Sequence, residues 1–222
     1  MLSDENNGLS KELSEVLKRM LAKQAIPDEE SVDNRSPKID NKALAEGGFP
    51  LRHCLKLTQM KGSGLEVAKK HLPKILNGDS LMVLSGDRGR GKTQMATWWA
   101  AQRTFHGKSP GRYTTTLDLI GDIKATWHEG GRNRGTEADL IKRYEKTPYL
   151  VLDEFHERGA SDWEAQTLLG LVDRRYYSMK CTVIICSCKS EMLSKVINSS
   201  IVDRVNEIGD LIECDWSSYR TG

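Results

Sequence analysis

Gly86-Asp87-Arg88-Gly89-Arg90-Gly91-Lys92-Thr93 fits the G-x-x-x-x-G-K-[ST] phosphate-binding pattern, and the rest of the chain is arranged around it. Its flanks fit as well. Ser80 to Ser85 is a short apolar run behind the turn residues Asn77-Gly78-Asp79, and it predicts a buried strand. Thr93 to His106 holds no Gly or Pro and predicts a helix ending at Gly107. A chance glycine turn would not sit between such flanks. In a strand–loop–helix unit the glycines let backbone N–H groups converge on phosphate oxygens, and the helix N-terminus adds partial positive charge. The pattern predicts that residues from Gly86 to Gln94 contact a nucleoside triphosphate. Lys92 would reach its β- and γ-phosphates, and the Thr93 hydroxyl would bind Mg²⁺.

The second landmark is Tyr149-Leu150-Val151-Leu152-Asp153-Glu154, a β-rich run that ends in two carboxylates. Alone it is weak, since acidic turn residues commonly end strands. About sixty residues after a phosphate loop, in a chain of alternating strands and helices, it reads as a Walker B strand lying beside that loop. Asp153 would then hold the Mg²⁺ shell and Glu154 would orient or deprotonate the attacking water.

Composition sets the frame. The 222 residues are 38% apolar and 29% charged, as a soluble globular chain with one full core and a small appendage would be. Five cysteines, without zinc spacing or an even framework, predict buried thiols in a reducing compartment. The start lacks a signal pattern and no run reaches transmembrane length, so a cytoplasmic protein with no membrane partner is expected. Net charge is +2 but uneven: residues 1–47 carry 7 basic and 10 acidic side chains, which leaves a mildly basic body that permits contact with nucleic acid.

From Leu9 onward, Leu13, Val16, Leu17, Met20 and Leu21 form one apolar stripe of a predicted helix. The polar stretch from Pro27 to Gly48 predicts a linker, so the stripe is a partner-binding face, a self-association seam, or a face packed on the body. Residues 49–63 look irregular, and Leu65 to Leu76 predicts a helix. Beyond Gly107 the chain predicts a strand at 112–116, a helix at 117–128, a flexible basic loop at 130–135 and a short helix at 137–146. Ser161-Asp162-Trp163-Glu164 has the form of a capping box opening a helix to Tyr177. Strands at 182–185 and 211–214, with short helices at 191–197 and 200–208 between them, complete a three-layer α/β domain around a parallel sheet.

Residues 48–222 resemble the helicase loaders of the DnaC type and the related IstB transposition ATPases, a branch of the AAA+ superfamily. The likeness is carried by the P-loop, Leu152-Asp153-Glu154, Leu171 to Tyr177, Ile201-Val202-Asp203-Arg204 and the terminal Asp215-Trp216-Ser217-Ser218-Tyr219-Arg220. It implies a P-loop AAA+ core of RecA-like architecture at 48–222 and a reduced partner-binding appendage at 1–47, with no sizeable lid. It further implies an ATPase that loads a replicative hexameric helicase, binds single-stranded DNA and forms a homo-oligomer with ATP.

Residue roles follow from the same likeness. Arg204 matches the arginine finger that reaches the γ-phosphate in a neighbouring protomer; from spacing alone it would pair with Asp203 or Glu207. Arg220 matches the sensor-2 arginine. The family places Thr and Asn where this chain has Cys186-Ser187-Cys188-Lys189, so Ser187 takes the sensor-1 position with a shorter reach. Trp127 falls where these loaders carry an aromatic that touches single-stranded DNA, with Arg132 and Arg134 beside it for phosphates; spacing alone makes Trp127 equally a core residue. Leu13, Val16, Leu17, Met20 and Leu21 become the candidate helicase-binding face. An IstB-like transposition helper, a nucleotide-gated adaptor and a small-molecule kinase are the competing functions.

Overall fold

A computed structural model describes residues 40–127, 135–155 and 161–219. The chain divides into units at 1–35 and 36–222, and every described residue lies in the second. The stripe from Leu13 to Leu21, the loop residues Arg132 and Arg134, and Arg220 lie outside the described residues.

Five strands form one parallel sheet: β1 (Leu81–Ser85), β2 (Arg112–Thr115), β3 (Tyr149–Asp153), β4 (Cys181–Ile185) and β5 (Asp210–Glu213), in the order β2-β3-β4-β1-β5. β1, β3 and β4 are buried along their whole length, which is why they read as continuous apolar runs. β2 and β5 lie at the edges and are half-exposed, with correspondingly polar sequences.

Alternate strand residues feed two separate cores. Met82, Leu84, Tyr149 and Val151 face one layer, with α3 (Ser63–Asn77) and α4 (Lys92–Phe105) packed on them. Leu81, Val83, Leu150 and Leu152 face the other, covered by α5 (Thr116–Ala125), α6 (Glu137–Lys146), α7 (Asp162–Tyr177) and α9 (Ser199–Ile208), with the one-turn helix α8 (Leu193–Val196) alongside. The period-2 alternation of a strand buried on both faces gives the three layers directly.

Several expectations need correction. Asn41–Glu46, read as linker, is a helix (α1). Asp40 caps it by accepting from the Lys42 and Ala43 N–H groups, and Leu44 is fully buried against the first core. One buried leucine outweighs the polar composition around it. The supposedly irregular 49–63 holds the one-turn helix α2 (Leu51–Cys54) and a 3-10 turn at Leu57–Gln59. α5 stops at Ala125, short of Trp127.

At Ser161 the cap shares its carboxylate with a distant lysine. The Ser161 hydroxyl accepts from the Glu164 N–H at 3.3 Å, and the Glu164 carboxylate also accepts from the Lys124 amine at 2.5 Å. A complete box stands at Thr136 and Asp139, where Asp takes the place of the usual Glu or Gln.

Buried Arg175 ties β4 to the end of α6. Its guanidinium donates to the Thr182 hydroxyl and to the carbonyls of Tyr144, Glu145, Thr147 and Cys181. Burial pushes it down to about 10.

Candidate nucleotide site

The site forms where strands β3, β4 and β1 end side by side. β4 lies between the other two, so the Walker B strand is one strand away from the phosphate loop rather than beside it. The loop after β1 crosses that gap. Its helix α4 starts at Lys92, and the Thr93 hydroxyl donates to Asp153 Oδ2 at 2.7 Å. The ends of an open parallel sheet at a reversal of strand order are where such folds place ligands. A cavity of about 1190 Å³ opens there, lined by Arg88 to Thr93, Gln94, Asp153, Glu154 and Ser187. Arg52, His53, Lys56, residues 58–61, Trp216, Ser218 and Tyr219 also line it.

Gly86, Gly89 and Gly91 all have positive φ, of 125°, 88° and 82°. At Gly86 a Cβ would come within 2.5 Å of the Cys214 carbonyl, so no larger residue fits that turn. Lys92 is nearly buried, and its amine donates to the carbonyls of Gly86 (2.6 Å) and Asp87 (2.9 Å). Burial pulls that amine below its ordinary range. A phosphate beside it would restore the favour for the charged form.

Asp153 is the hub of the acidic side. One oxygen accepts from Thr93 and from the Tyr113 hydroxyl at 2.9 Å, and the other accepts from the Glu154 N–H at 2.7 Å. Tyr113, on edge strand β2, was not legible in the sequence as a site residue. Only the register that sets Tyr113 opposite Val151, two residues before Asp153, brings it there. Burial, with Asp153 next, pushes the Tyr113 phenol far above its ordinary value, so it stays a donor. A hydroxyl and a buried carboxylate converging at the loop's mouth are the hard oxygen donors that Mg²⁺ takes.

Glu154 has φ 55°, an unusual backbone conformation for a residue with a side chain. It is held there by its N–H bond to Asp153 and by the Thr116 hydroxyl, which donates to its carbonyl at 2.9 Å. Such a conformation costs about 1–3 kcal/mol and persists where surrounding contacts over-determine it. Gln94 is engaged twice by His53, at 2.8 Å through the ring and 3.0 Å through the backbone carbonyl. Arg90 spans the loop and the C-terminal segment: its Nη2 lies 3.7 Å from the Asp87 carboxylate, and its Nη1 lies 3.0 Å from the Asp215 carbonyl with a second contact to the Trp216 carbonyl.

Two predicted residues stand elsewhere. Arg204 does not line the cavity; its guanidinium lies 3.2 Å from Asp173 of α7 and 5.2 Å from the Tyr176 ring centroid. Its ionic partner is therefore on a neighbouring helix, not Asp203 or Glu207, while its Nη1 donates to the Ser200 carbonyl at 2.8 Å; Glu207 instead accepts from the Tyr176 hydroxyl. Trp127 is not a core residue. It is 53% exposed, donates to Glu137 at 2.8 Å and meets the Trp163 ring edge-on at 4.7 Å.

A family model described as an IstB-like ATP binding protein matches residues 73–222. The chain belongs to the IstB-like ATP-binding family. Among curated relatives of this AAA+ branch, the replicative helicase loader DnaC of Escherichia coli K12 is 25% identical over 161 residues, covering 72% of this chain and 64% of that protein. The DnaC of Buchnera aphidicola from Schizaphis graminum is 26% identical over 157 residues, covering 70% and 63%. The chain thus spans under two thirds of the length of these relatives. The fold is shared with a crystal structure of the DnaC helicase loader (TM-score 0.57, 21% identity, 73% of this chain and 98% of that one). It is also shared with the replication initiator DnaA bound to AMPPCP and single-stranded DNA (TM-score 0.57, 17% identity, 72% and 50%). These likenesses show the fold.

Proposed function

We propose that this IstB-like chain is an ATPase that loads a replicative hexameric DNA helicase onto single-stranded DNA. The observation that carries the enzymatic half is the convergence of Lys92, Thr93, Asp153, Glu154 and Ser187 on one cavity, with Thr93 and Asp153 already 2.7 Å apart. The curated relatives named as replicative helicase loaders carry the partner.

In this reading the Gly86–Thr93 amides and Lys92 bind the phosphates, while Thr93 and Asp153 would hold Mg²⁺, which would supply positive charge against the phosphate oxygens. Tyr113 fixes the rotation of the Asp153 carboxylate. Glu154 orients a water and takes its proton, and the Ser187 hydroxyl at the end of β4 hydrogen-bonds that water or the γ-phosphate. Arg204 of one copy serves the site of the next, so it exchanges Asp173 for the phosphoryl group on assembly. Arg220 acts on the nucleotide within its own copy. Trp127 stacks a base, aided by Arg132 and Arg134. The segment 1–47 grips the helicase through its apolar stripe. The protein works in the cytoplasm.

The family model's IstB name favours one second reading, a helper ATPase for a transposase, with the same engine and a different client. Incubating the purified full chain with purified replicative helicase, with and without ATP and single-stranded DNA, tests the choice. The loader reading expects an ATP-dependent complex that leaves helicase on a closed circular single strand. A chain that ignores the helicase and instead binds a transposase encoded beside it sinks that reading.

A further inference from the structure

Two carbonyl groups of the phosphate loop, those of Gly89 and Arg90, are held from outside by the C-terminal segment. The Tyr219 N–H donates to the Gly89 carbonyl at 3.0 Å, and the Trp216 indole N–H donates to the Arg90 carbonyl at 2.8 Å. The Arg90 side chain returns the contact to the carbonyls of Asp215 and Trp216. The Tyr219 hydroxyl donates to the Lys61 carbonyl at 3.0 Å and anchors the segment on the opposite wall. The Tyr219 ring packs so closely on Gly91 that a Cβ there would meet it at 3.0 Å.

A trans peptide unit is rigid and planar, with its C=O and N–H pointing in opposite directions. Fixing the Gly89 carbonyl therefore aims the Arg90 N–H, and fixing the Arg90 carbonyl aims the Gly91 N–H. Those amides belong to the loop that would cradle phosphate. Gly89 and Gly91 leave the loop without steric guidance of its own, since glycine takes either sign of φ with similar ease.

We propose that the segment Asp215–Tyr219, clasped by Arg90, preorganises the phosphate cradle, and that nucleotide occupancy and docking of this segment are coupled. Arg90 and Trp216 are positioning residues: they act through the loop backbone. The inference rests on reading the loop as a nucleotide site. Because an ordered segment gives an ordered cradle, bound nucleotide must in turn hold the segment down, by reciprocity of linked equilibria.

The test uses the full chain, a fluorescent ATP analogue with Mg²⁺, and the variants Arg90→Ala, Arg90→Lys and Trp216→Phe. Each should weaken binding about tenfold with the melting midpoint retained. The Arg90→Ala/Trp216→Phe double variant should be weakened about tenfold rather than a hundredfold, since either change opens the same clasp. Arg90→Lys separates this from a direct charge effect, because lysine keeps the charge but presents no guanidinium fork. Hydrogen exchange at 215–219 should slow when the analogue binds the wild type and not when it binds Arg90→Ala. Variants within twofold of wild type, additive losses, or exchange at 215–219 that ignores nucleotide would each overturn the clasp. If the wild type itself fails to bind the analogue, the nucleotide-site reading falls with it.

Discussion

Asp153 accepts three hydrogen bonds within the site, and the one from Tyr113 has a measurable consequence. The phenol cannot ligate Mg²⁺ in place of the carboxylate, so its role is to fix which oxygen faces Thr93. Tyr113→Phe keeps the ring against Phe49, 5.9 Å away, and removes only the hydroxyl. Losing one such bond to a charged acceptor costs about 1.5–3 kcal/mol when the group is left unpaired, and less where water replaces it. The Mg²⁺ concentration for half-maximal ATP turnover should therefore rise about threefold to tenfold, with little change at saturating Mg²⁺. Equal turnover by wild type and variant across a Mg²⁺ titration would show that Tyr113 is only a packing residue. Lys92, Thr93 and Asp153 were legible in the sequence because their chemistry is local to a motif. Tyr113 was not, because its proximity depends on a β2–β3 register that no local pattern states. Arg204 sits between these cases: its residue type was plain, and its resting partner Asp173 required the packing of α9 on α7.

At the scale of elements, α5 and α7 are joined by the Lys124–Glu164 ion pair at 2.5 Å, with Glu164 largely buried. That pair holds the start of α7, with Trp163, near Trp127, the aromatic proposed to meet DNA. The hydrogen bond from Lys124 holds the Glu164 carboxyl below its ordinary value of 4.5. The folded protein then carries fewer protons than the unfolded chain as pH drops past that value. The stabilisation is fully present above the unfolded pKa and is lost as pH falls through the lower folded one. The melting midpoint of the wild type should thus fall faster than that of Glu164→Gln below about pH 4.5, and the two should run parallel above it. Parallel curves throughout would mean that the pair contributes nothing. The sequence placed Glu164 in a capping box, a purely local pattern. A lysine forty residues earlier also reaches the carboxylate because α5 and α7 share a core. The same competition turned Asn41–Glu46 from linker into helix, where one buried leucine decided the outcome. The central strands escaped such revision because their burial on both faces writes a continuous apolar run.

Across the whole molecule, the sheet order is what assembles the site. β3, β4 and β1 deliver Asp153 and Glu154, Ser187 and the phosphate loop to one edge, and the C-terminal segment closes over the loop from outside. The parallel α/β class, the family likeness and the loop's chemistry were legible from strand runs and spacing; the intervening strand and the terminal clasp needed the third dimension. Within one copy Arg204 stands away from this cavity, against Asp173 and Tyr176. In the proposed mechanism a neighbouring copy supplies it, making ATP turnover a property of the assembly. Mixing two inactive variants tests this directly. Glu154→Gln lacks the carboxylate proposed to activate water and Arg204→Ala lacks the proposed finger, so each alone should hydrolyse ATP about a hundredfold more slowly than wild type while still binding it. Equimolar mixing should restore a substantial fraction of turnover, because an intact Glu154 in one copy meets an intact Arg204 from the other. A mixture no more active than its two components would contradict the claim.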